Sequence, residues 1–126
     1  MNFVTMTITD SAGVLWAIAQ GLRLKVPPQL GERVRAHAGK RMVLGVRPEA
    51  LHPANGSDQP DYSFATEVDV VEPLGNEILI DVKIGANPMV ARVPPTSRLR
   101  MHERVRLSLD PERLHFFDSK TEQAIE

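Results

Sequence analysis

Cysteine is absent from the 126 residues, which excludes a disulfide framework, a thiolate zinc site and a thiol nucleophile and suits a reducing cytoplasm. Aromatic side chains are scarce, with one Trp, one Tyr and four Phe. Long apolar runs are missing as well. The longest stretch without a charge, Ser11 to Leu22, has 12 residues, where spanning a bilayer takes about 20. The opening MNFVTMTITD has neither the basic n-region nor the apolar h-region of a secretion signal. Neither sign of charge is in excess: 15 Lys and Arg stand against 16 Asp and Glu, for a net charge of −1. Residues 1–63 carry 7 basic and 5 acidic groups and residues 64–126 carry 8 and 11, so neither half has the basic surplus of a phosphate-backbone binder. Nucleic acid is therefore not expected as a partner.

Catalytic signatures are lacking too. A phosphate-binding P-loop needs Gly-x4-Gly-Lys-Ser/Thr, so that backbone N–H groups wrap the phosphates. Here Gly39-Lys40 is followed by Arg41, and Val34 stands where the first glycine belongs. There is no Gly-x-Ser-x-Gly, His-Glu-x-x-His or Gly-x-Gly-x-x-Gly. The histidines His37, His52, His102 and His115 match no zinc or iron spacing and read as turn or surface residues. No catalytic residue, metal ligand or cofactor-binding residue is expected on this chain.

What the sequence does contain is punctuation and alternation. Ten prolines and eight glycines separate short alternating segments, the pattern of an all-β domain. Strands are expected over Phe3–Thr9, Val14–Ala19, Leu22–Val26, Arg41–Arg47, Phe64–Glu72, Glu77–Lys83, Met89–Val93 and Arg104–Leu109. In the last, Val105, Leu107 and Leu109 face one way and Arg104, Arg106 and Ser108 the other. Gln29 to Ala38 places Leu30, Val34 and His37 or Ala38 at helical spacing between Pro27-Pro28 and Gly39, which predicts one short helix. His52 to Asp61 reads as a loop or linker. A chain of this size buries roughly two-thirds of its unfolded surface, enough for a core without staples.

An internal repeat organises the chain. Arg41-Met-Val-Leu-Gly-Val-Arg-Pro-Glu-Ala-Leu-His52 aligns without gaps on Arg104-Val-Arg-Leu-Ser-Leu-Asp-Pro-Glu-Arg-Leu-His115, at an offset of 63 residues. Each copy is an amphipathic strand followed by a proline corner, where the preset φ and missing N–H of proline are no handicap and Glu49 or Glu112 suits the start of a turn. The two glutamates could pass for an acid/base pair, but identical local positions favour a capping role. Val26-Pro27-Pro28 and Val93-Pro94-Pro95 recur at an offset of 67. These repeats predict two small β modules, about 1–53 and 62–126, joined by a loop over 54–61 and closed on each other as a small barrel or sandwich. Trp16, Phe116 and Phe117 are expected in the core or at an interface.

Met1-Asn2-Phe3, Leu44-Gly-Val-Arg-Pro-Glu49, Glu72-Pro-Leu-Gly-Asn-Glu77, Ala91-Arg-Val93 and Leu114-His-Phe-Phe-Asp118 occur in an order that resembles the C-terminal regulatory domain of the ATP-binding subunits of ABC importers, of the maltose and glycerol-3-phosphate type. The resemblance covers nearly the whole chain. It departs where that family ends Phe-Asp-x-x-Thr-Gly and this sequence has Glu122. It implies a TOBE-type fold of OB-like modules that pairs with a second copy as a homodimer. ATP and magnesium would sit on a nucleotide-binding domain not contained in this chain. It further implies a cytoplasmic subunit held at the inner face of the membrane through a permease, open to a regulatory protein. Arg47, Pro48 and Glu49, the turn residues Glu72, Gly75, Asn76 and Glu77, the corner Asp110, Pro111 and Glu112, and Phe116 and Phe117 are the structural or interface candidates. The competing function is a small-ligand module for an oxyanion such as molybdate or sulfate, held by backbone N–H groups in turns, although no Ser/Thr/Lys-rich cluster stands out along the chain. A third, an OB-type nucleic-acid binder, is permitted by fold alone and opposed by the charge and the few aromatics.

Overall fold

A computed structural model describes residues 1–54 and 59–125. Alternation along β1 (Asn2–Ser11) is strict from Phe3 to Thr9: Val4, Met6 and Ile8 are buried, while Phe3, Thr5, Thr7 and Thr9 are exposed. Strands β2 (Val14–Ala19) and β3 (Leu22–Lys25) follow, then a 3-10 turn at Pro28–Leu30, helix α1 (Gly31–Arg35), β4 (Arg41–Val46) and β5 (Leu51–Pro53). The second half carries β6 (Ser63–Pro73), β7 (Ile78–Ile84), β8 (Asn87–Val93), β9 (Arg104–Leu109), β10 (His115–Asp118) and β11 (Ala124–Ile125). The fold is thus all-β with one short helix, as the periodicity indicates. Its two sheets run in the orders β11-β10-β4-β1-β2-β3 and β5-β9-β6-β7-β8, with every pairing antiparallel.

Apart from β11, the two orders are the same order twice, and the repeat explains why. Strands β4 and β9 are equivalent copies, as are β5 and β10. Each copy's last short strand crosses to the other copy's sheet. His52 pairs Ser108 and Pro53 pairs Leu107, while His115 pairs Gly45 and Phe116 pairs Leu44. Shifting every number by 63 converts one set of pairs into the other. The halves are therefore interlocked by reciprocal exchange of a strand. One continuous core results, running from Val4, Met6 and Leu24 through Leu44 and Leu51 to Ile80, Leu107 and Phe116.

The differences from the sequence reading are local. Strand β5 occupies Leu51–Pro53 and so overlaps the start of the stretch His52–Asp61 read as a loop or linker, because a three-residue strand with one buried side chain, Leu51, shows no alternation. Strands β10 and β11 likewise fall where no strand was expected. Of the loop placed at 54–61, residues 55–58 lie outside the described residues, and Pro60–Tyr62 forms a 3-10 turn. The helix is shorter than Gln29–Ala38: after Arg35 the chain tightens through bonds from His37 N to Val34 O and from Lys40 N to His37 O, and Gly39 reverses it at φ +81°. Ser108 is buried rather than exposed, because β9 lies between β5 and β6 and is flanked there by His52 and Ser63.

Two hairpin tips meet back to back. A Cβ added to Gly21 would lie 2.8 Å from Gly85 N, and one added to Gly85 would lie 2.6 Å from the Gln20 carbonyl oxygen. Both glycines have positive φ, so the contact needs glycine for conformation and for closeness.

Candidate functional site

The proline corners are a matched pair. Pro48 and Pro111 each open a 3-10 turn, Pro48–Ala50 and Pro111–Arg113. At the second corner Asp110 caps the turn, its Oδ1 accepting from Glu112 N at 3.1 Å. At the first corner Arg47 takes the capping position and makes no such bond. Pro111 is also held from the first half, its carbonyl accepting from Gln29 Nε2 at 3.1 Å. Glu112 is exposed.

Glu49 and Glu77, from two separate sequence landmarks, converge on Arg92 of β8. Arg92 Nε lies 3.0 Å from Glu77 Oε2, and its Nη1 lies 3.8 Å from Glu49 Oε2. A hydrogen bond from its own backbone N–H, then the guanidinium groups of Arg92, Arg113 and Arg47, hold the Glu49 carboxyl below its ordinary pKa against the opposing effect of desolvation. Glu77 reaches Arg92 because the turn before it is tight: Leu74 N donates to Glu77 O at 2.8 Å, and Gly75 supplies φ +89°, as hairpin turns of this kind require. Glu72 and Asn76 are exposed beside it. An arginine bridging two carboxylates positions the corner and the turn; it offers no acid/base chemistry. Sequence reasoning placed Arg92 among its landmarks without giving it a role, since its partners stand 15 and 43 positions away.

Asn2 makes a second link between the sheets. Its side-chain amide donates to Val90 O and accepts from Val90 N, both at 2.8 Å. It thereby imitates a neighbouring peptide group against β8, the end strand of its sheet.

Phe116 and Phe117 divide between the two faces of the first sheet. Phe116 is wholly buried. Phe117 points outward, half-buried, with its ring edge-on to Phe3 at a centroid distance of 6.0 Å. Gly45 lies beneath them: a Cβ there would sit 2.7 Å from Met1 Sδ and 2.8 Å from Phe117 Cε2. Met1, Phe3, Val43 and Phe117 make an apolar patch on the outward face, with Phe3 58% exposed. A concavity of about 380 Å³ there is lined by Phe3, Val43, Phe117, Asp118 and Glu122. Trp16 lies on the same outward face, half-buried, with the Arg23 guanidinium 3.9 Å above its ring, which places it outside the core.

A second concavity of about 380 Å³ adjoins this patch, lined by His37, Lys40, Arg41, Asp118, Ser119 and Lys120. Asp118 Oδ1 accepts from Lys120 N at 2.8 Å and Thr121 N at 3.1 Å, and its Oδ2 lies 3.9 Å from His37 Nδ1. Those backbone donors first, and His37 and Lys120 after them, lower its pKa. The turn closes with Glu122 at φ +61°, so the chain bends there without the glycine, at a cost of about 1–2 kcal/mol. Among the described residues, no group of three or more His, Asp or Glu is placed to hold a metal ion, and no helix is long and apolar enough to cross a membrane.

Comparison with known proteins matches the MalK OB fold domain over residues 1–51 and the TOBE domain over residues 44–117. The chain is 32% identical to the uncharacterized ABC transporter ATP-binding protein YurJ of Bacillus subtilis, over 99% of this chain and 35% of that protein. It is 34% identical to the sulfoquinovosyl glycerol transport ATP-binding protein SmoE of Agrobacterium fabrum, over 99% and 33%, and 36% identical to the sn-glycerol-3-phosphate import ATP-binding protein UgpC of Burkholderia pseudomallei, over 96% and 32%. It thus spans about a third of the length of these relatives. In fold it is similar to the cytoplasmic molybdate-binding protein ModG, with a TM-score of 0.70 and 13% identity over 91% of this chain and 94% of that one. With residues 44–117 matched, more than half of its length, the chain belongs to the TOBE domain family.

Proposed function

We propose that this chain is the non-catalytic regulatory and dimerisation domain of an ABC importer ATP-binding subunit that serves carbohydrate or glycerol-3-phosphate uptake. The observation that carries the reading is its similarity, over 99% and 96% of its length, to a sulfoquinovosyl glycerol transport and an sn-glycerol-3-phosphate import ATP-binding protein, of each of which it spans about a third. ATP and magnesium then belong to the nucleotide-binding part of the subunit, and this domain needs no cofactor. The subunit works in the cytoplasm, at the inner face of the membrane through its permease. The domain's task is mechanical: it keeps two subunits paired, and so at high effective concentration, while their nucleotide-binding domains open and close. The outward patch of Met1, Phe3, Val43 and Phe117 is the surface assigned to the pairing, since an uncovered apolar patch on a small domain marks an interaction site.

Light scattering coupled to size exclusion over a concentration series tests this. The expected result is a mass that rises toward twice the monomer and returns to one monomer in Phe3→Asp. A monomer at every concentration would overturn pairing by this domain. The second reading, an oxyanion-binding module, draws support from the fold shared with ModG, described as having molybdate bound, and calorimetry with molybdate, tungstate and sulfate tests it.

A further inference from the structure

The reciprocal exchange of short strands leaves the two halves joined by a single covalent connection. Strand β9 lies between β5 and β6 and is antiparallel to both, so β5 and β6 run parallel on its two flanks. Ala54 N donates to Arg106 O just past the end of β5, whereas Ser63, at the start of β6, stands opposite Ser108. The chain therefore passes from one side of β9 to the other and two residues back along it. Two strand spacings and two residues of rise set Ala54 and Ser63 roughly 12 Å apart.

The remaining contacts between the halves are non-covalent. Besides the exchanged strands, they include Asn2 on Val90, Gln29 on Pro111, Arg92 on Glu49, Asp110 N on Ala50 O and the touching tips at Gly21 and Gly85. Each joins a residue of 1–54 to a residue of 59–125. None of them requires the two halves to belong to the same chain.

We infer that the interlock also closes between two copies of this chain, the first half of each taking the second half of the other, in a strand-exchanged dimer whose two lobes each reproduce the single-chain fold. Such swapping keeps every contact of the interlock and changes only the path of the connection. A second copy is the partner because it offers both the short strand to be received and the place for the one to be given. What decides between the closures is the connection, which presents the second half to the first at an effective concentration in roughly the millimolar range. Folding in dilute solution therefore favours the self-closed chain, and folding in concentrated solution favours the exchanged dimer. Once formed, each form is held kinetically: the halves share one continuous core, so exchange waits on global unfolding. The outward patch of Phe3 and Phe117 forms within each lobe and stays free, so strand exchange and pairing through that patch stand or fall separately.

The test is to refold the urea-unfolded chain over concentrations from micromolar to about millimolar, dilute, and measure mass by light scattering. The expected result is a dimer fraction that grows with the refolding concentration, survives dilution and is unchanged in Phe3→Asp. In a variant lacking residues 55–58, Ala54 is bonded to Gln59. One Cα step of about 3.8 Å and a 3-10 turn rising about 2 Å per residue then barely match the straight-line distance to Ser63, with no slack for passing over β9. That variant should give at least ten times more dimer than the parent at the same refolding concentration. The chain has no cysteine of its own, so Gln29→Cys in one copy and Glu112→Cys in another report directly on exchange. Co-refolded at high concentration and treated with a short bis-maleimide, they should yield a 29–112 cross-link between chains in the dimer fraction. A dimer that dissociates on dilution, or one without that cross-link, would overturn strand exchange and leave pairing through the patch standing. Monomer alone at every refolding concentration, in the parent and in the shortened variant, would overturn it too. Should the shortened variant fail to fold, the parent's refolding series and the cross-link decide by themselves.

Discussion

Two glycines that look equally crowded should respond oppositely to alanine. At Gly85 the new Cβ would lie 2.6 Å from the Gln20 carbonyl oxygen, with φ at +61°; at Gly45 it would lie 2.7 Å from Met1 Sδ and 2.8 Å from Phe117 Cε2, in a strand. The atoms in the way at Gly85 are backbone in a second hairpin, and they retreat only if the two tips separate. Left-handed conformation costs a residue with a Cβ about 1–2 kcal/mol, and overpacking against a rigid neighbour costs about 1–3 kcal/mol more. Gly85→Ala should therefore lose about 2–5 kcal/mol of folding stability. At Gly45 the atoms in the way are the end of a flexible thioether and the edge of an outward-facing ring. Alanine also recovers the roughly 0.5–1 kcal/mol that glycine forfeits in a strand, so Gly45→Ala should stay within about 1 kcal/mol of the parent. Urea unfolding followed by far-ultraviolet circular dichroism and by the fluorescence of Trp16 measures both. Equal losses in the two variants, or a loss below about 1 kcal/mol in Gly85→Ala, would refute the distinction between backbone and side-chain obstruction drawn here.

Phe116→Ala should cost about 3–5 kcal/mol, as expected for a large side chain removed from a closed core, whereas Phe117→Ala should change stability little and self-association measurably in light scattering. Asn2→Ala removes two hydrogen bonds of 2.8 Å and strands both backbone groups of Val90; a loss of about 1–3 kcal/mol in urea unfolding is expected. Asp118 has a depressed folded-state pKa, so its ionised form stabilises the fold above the unfolded value of about 4 and that contribution vanishes as pH falls through the folded value. Asp118→Asn should accordingly melt below the parent at pH 7, with the gap closing under acid conditions in thermal scans. Expressed separately, residues 1–54 and 59–126 should each lack strand signal in circular dichroism, because each lacks the short strand the other donates, and should regain it when mixed.

The fold was legible wherever one face of a strand is buried and the other wet. Val14–Ala19 and Arg104–Leu109 agree with the expected bounds residue for residue, and the fold class followed from the same alternation. What the alternation could not reveal were the short strands β5, β10 and β11, in which too few residues stand in the sheet for a period to show. The repeat located the proline corners Pro48 and Pro111 correctly as turns. It was silent on the exchange of strands, because equivalent sequence in two copies is compatible with each copy closing on itself. The candidate residues divide by the reach of their partners. Gly75 is explained by the turn it makes, within its own hairpin. Glu49, Glu77, Phe117 and Asp118 find their contacts 15 to 114 positions away, in Arg92, Phe3 and His37, and no spacing along the chain encodes those meetings.

The exchange also accounts for where the five landmark segments end up. Leu44–Glu49 and Leu114–Asp118 come from the two halves of the chain, yet β4 and β10 are direct neighbours in one sheet, so Phe117 lies over Gly45 on the outward face while Phe116, paired with Leu44, turns into the core. Met1-Asn2-Phe3 runs on the other side of β4, so Phe3 covers Gly45 from that flank and Asn2 reaches Val90, one residue before Ala91-Arg92-Val93. Arg92 in turn gathers Glu49 from the first corner and Glu77 from the Glu72–Glu77 turn. Five separate stretches of sequence therefore reduce to two contact clusters, the aromatic patch over Gly45 and the ionic node at Arg92. Both lie where the halves interlock. A substitution in either cluster acts on the joint between the repeats before it acts on any partner, so a loss of pairing is informative only when stability is measured beside it. Phe3→Asp and Phe117→Ala meet that condition best, since their side chains cover the joint from outside while Phe116 and Asn2 hold it from within.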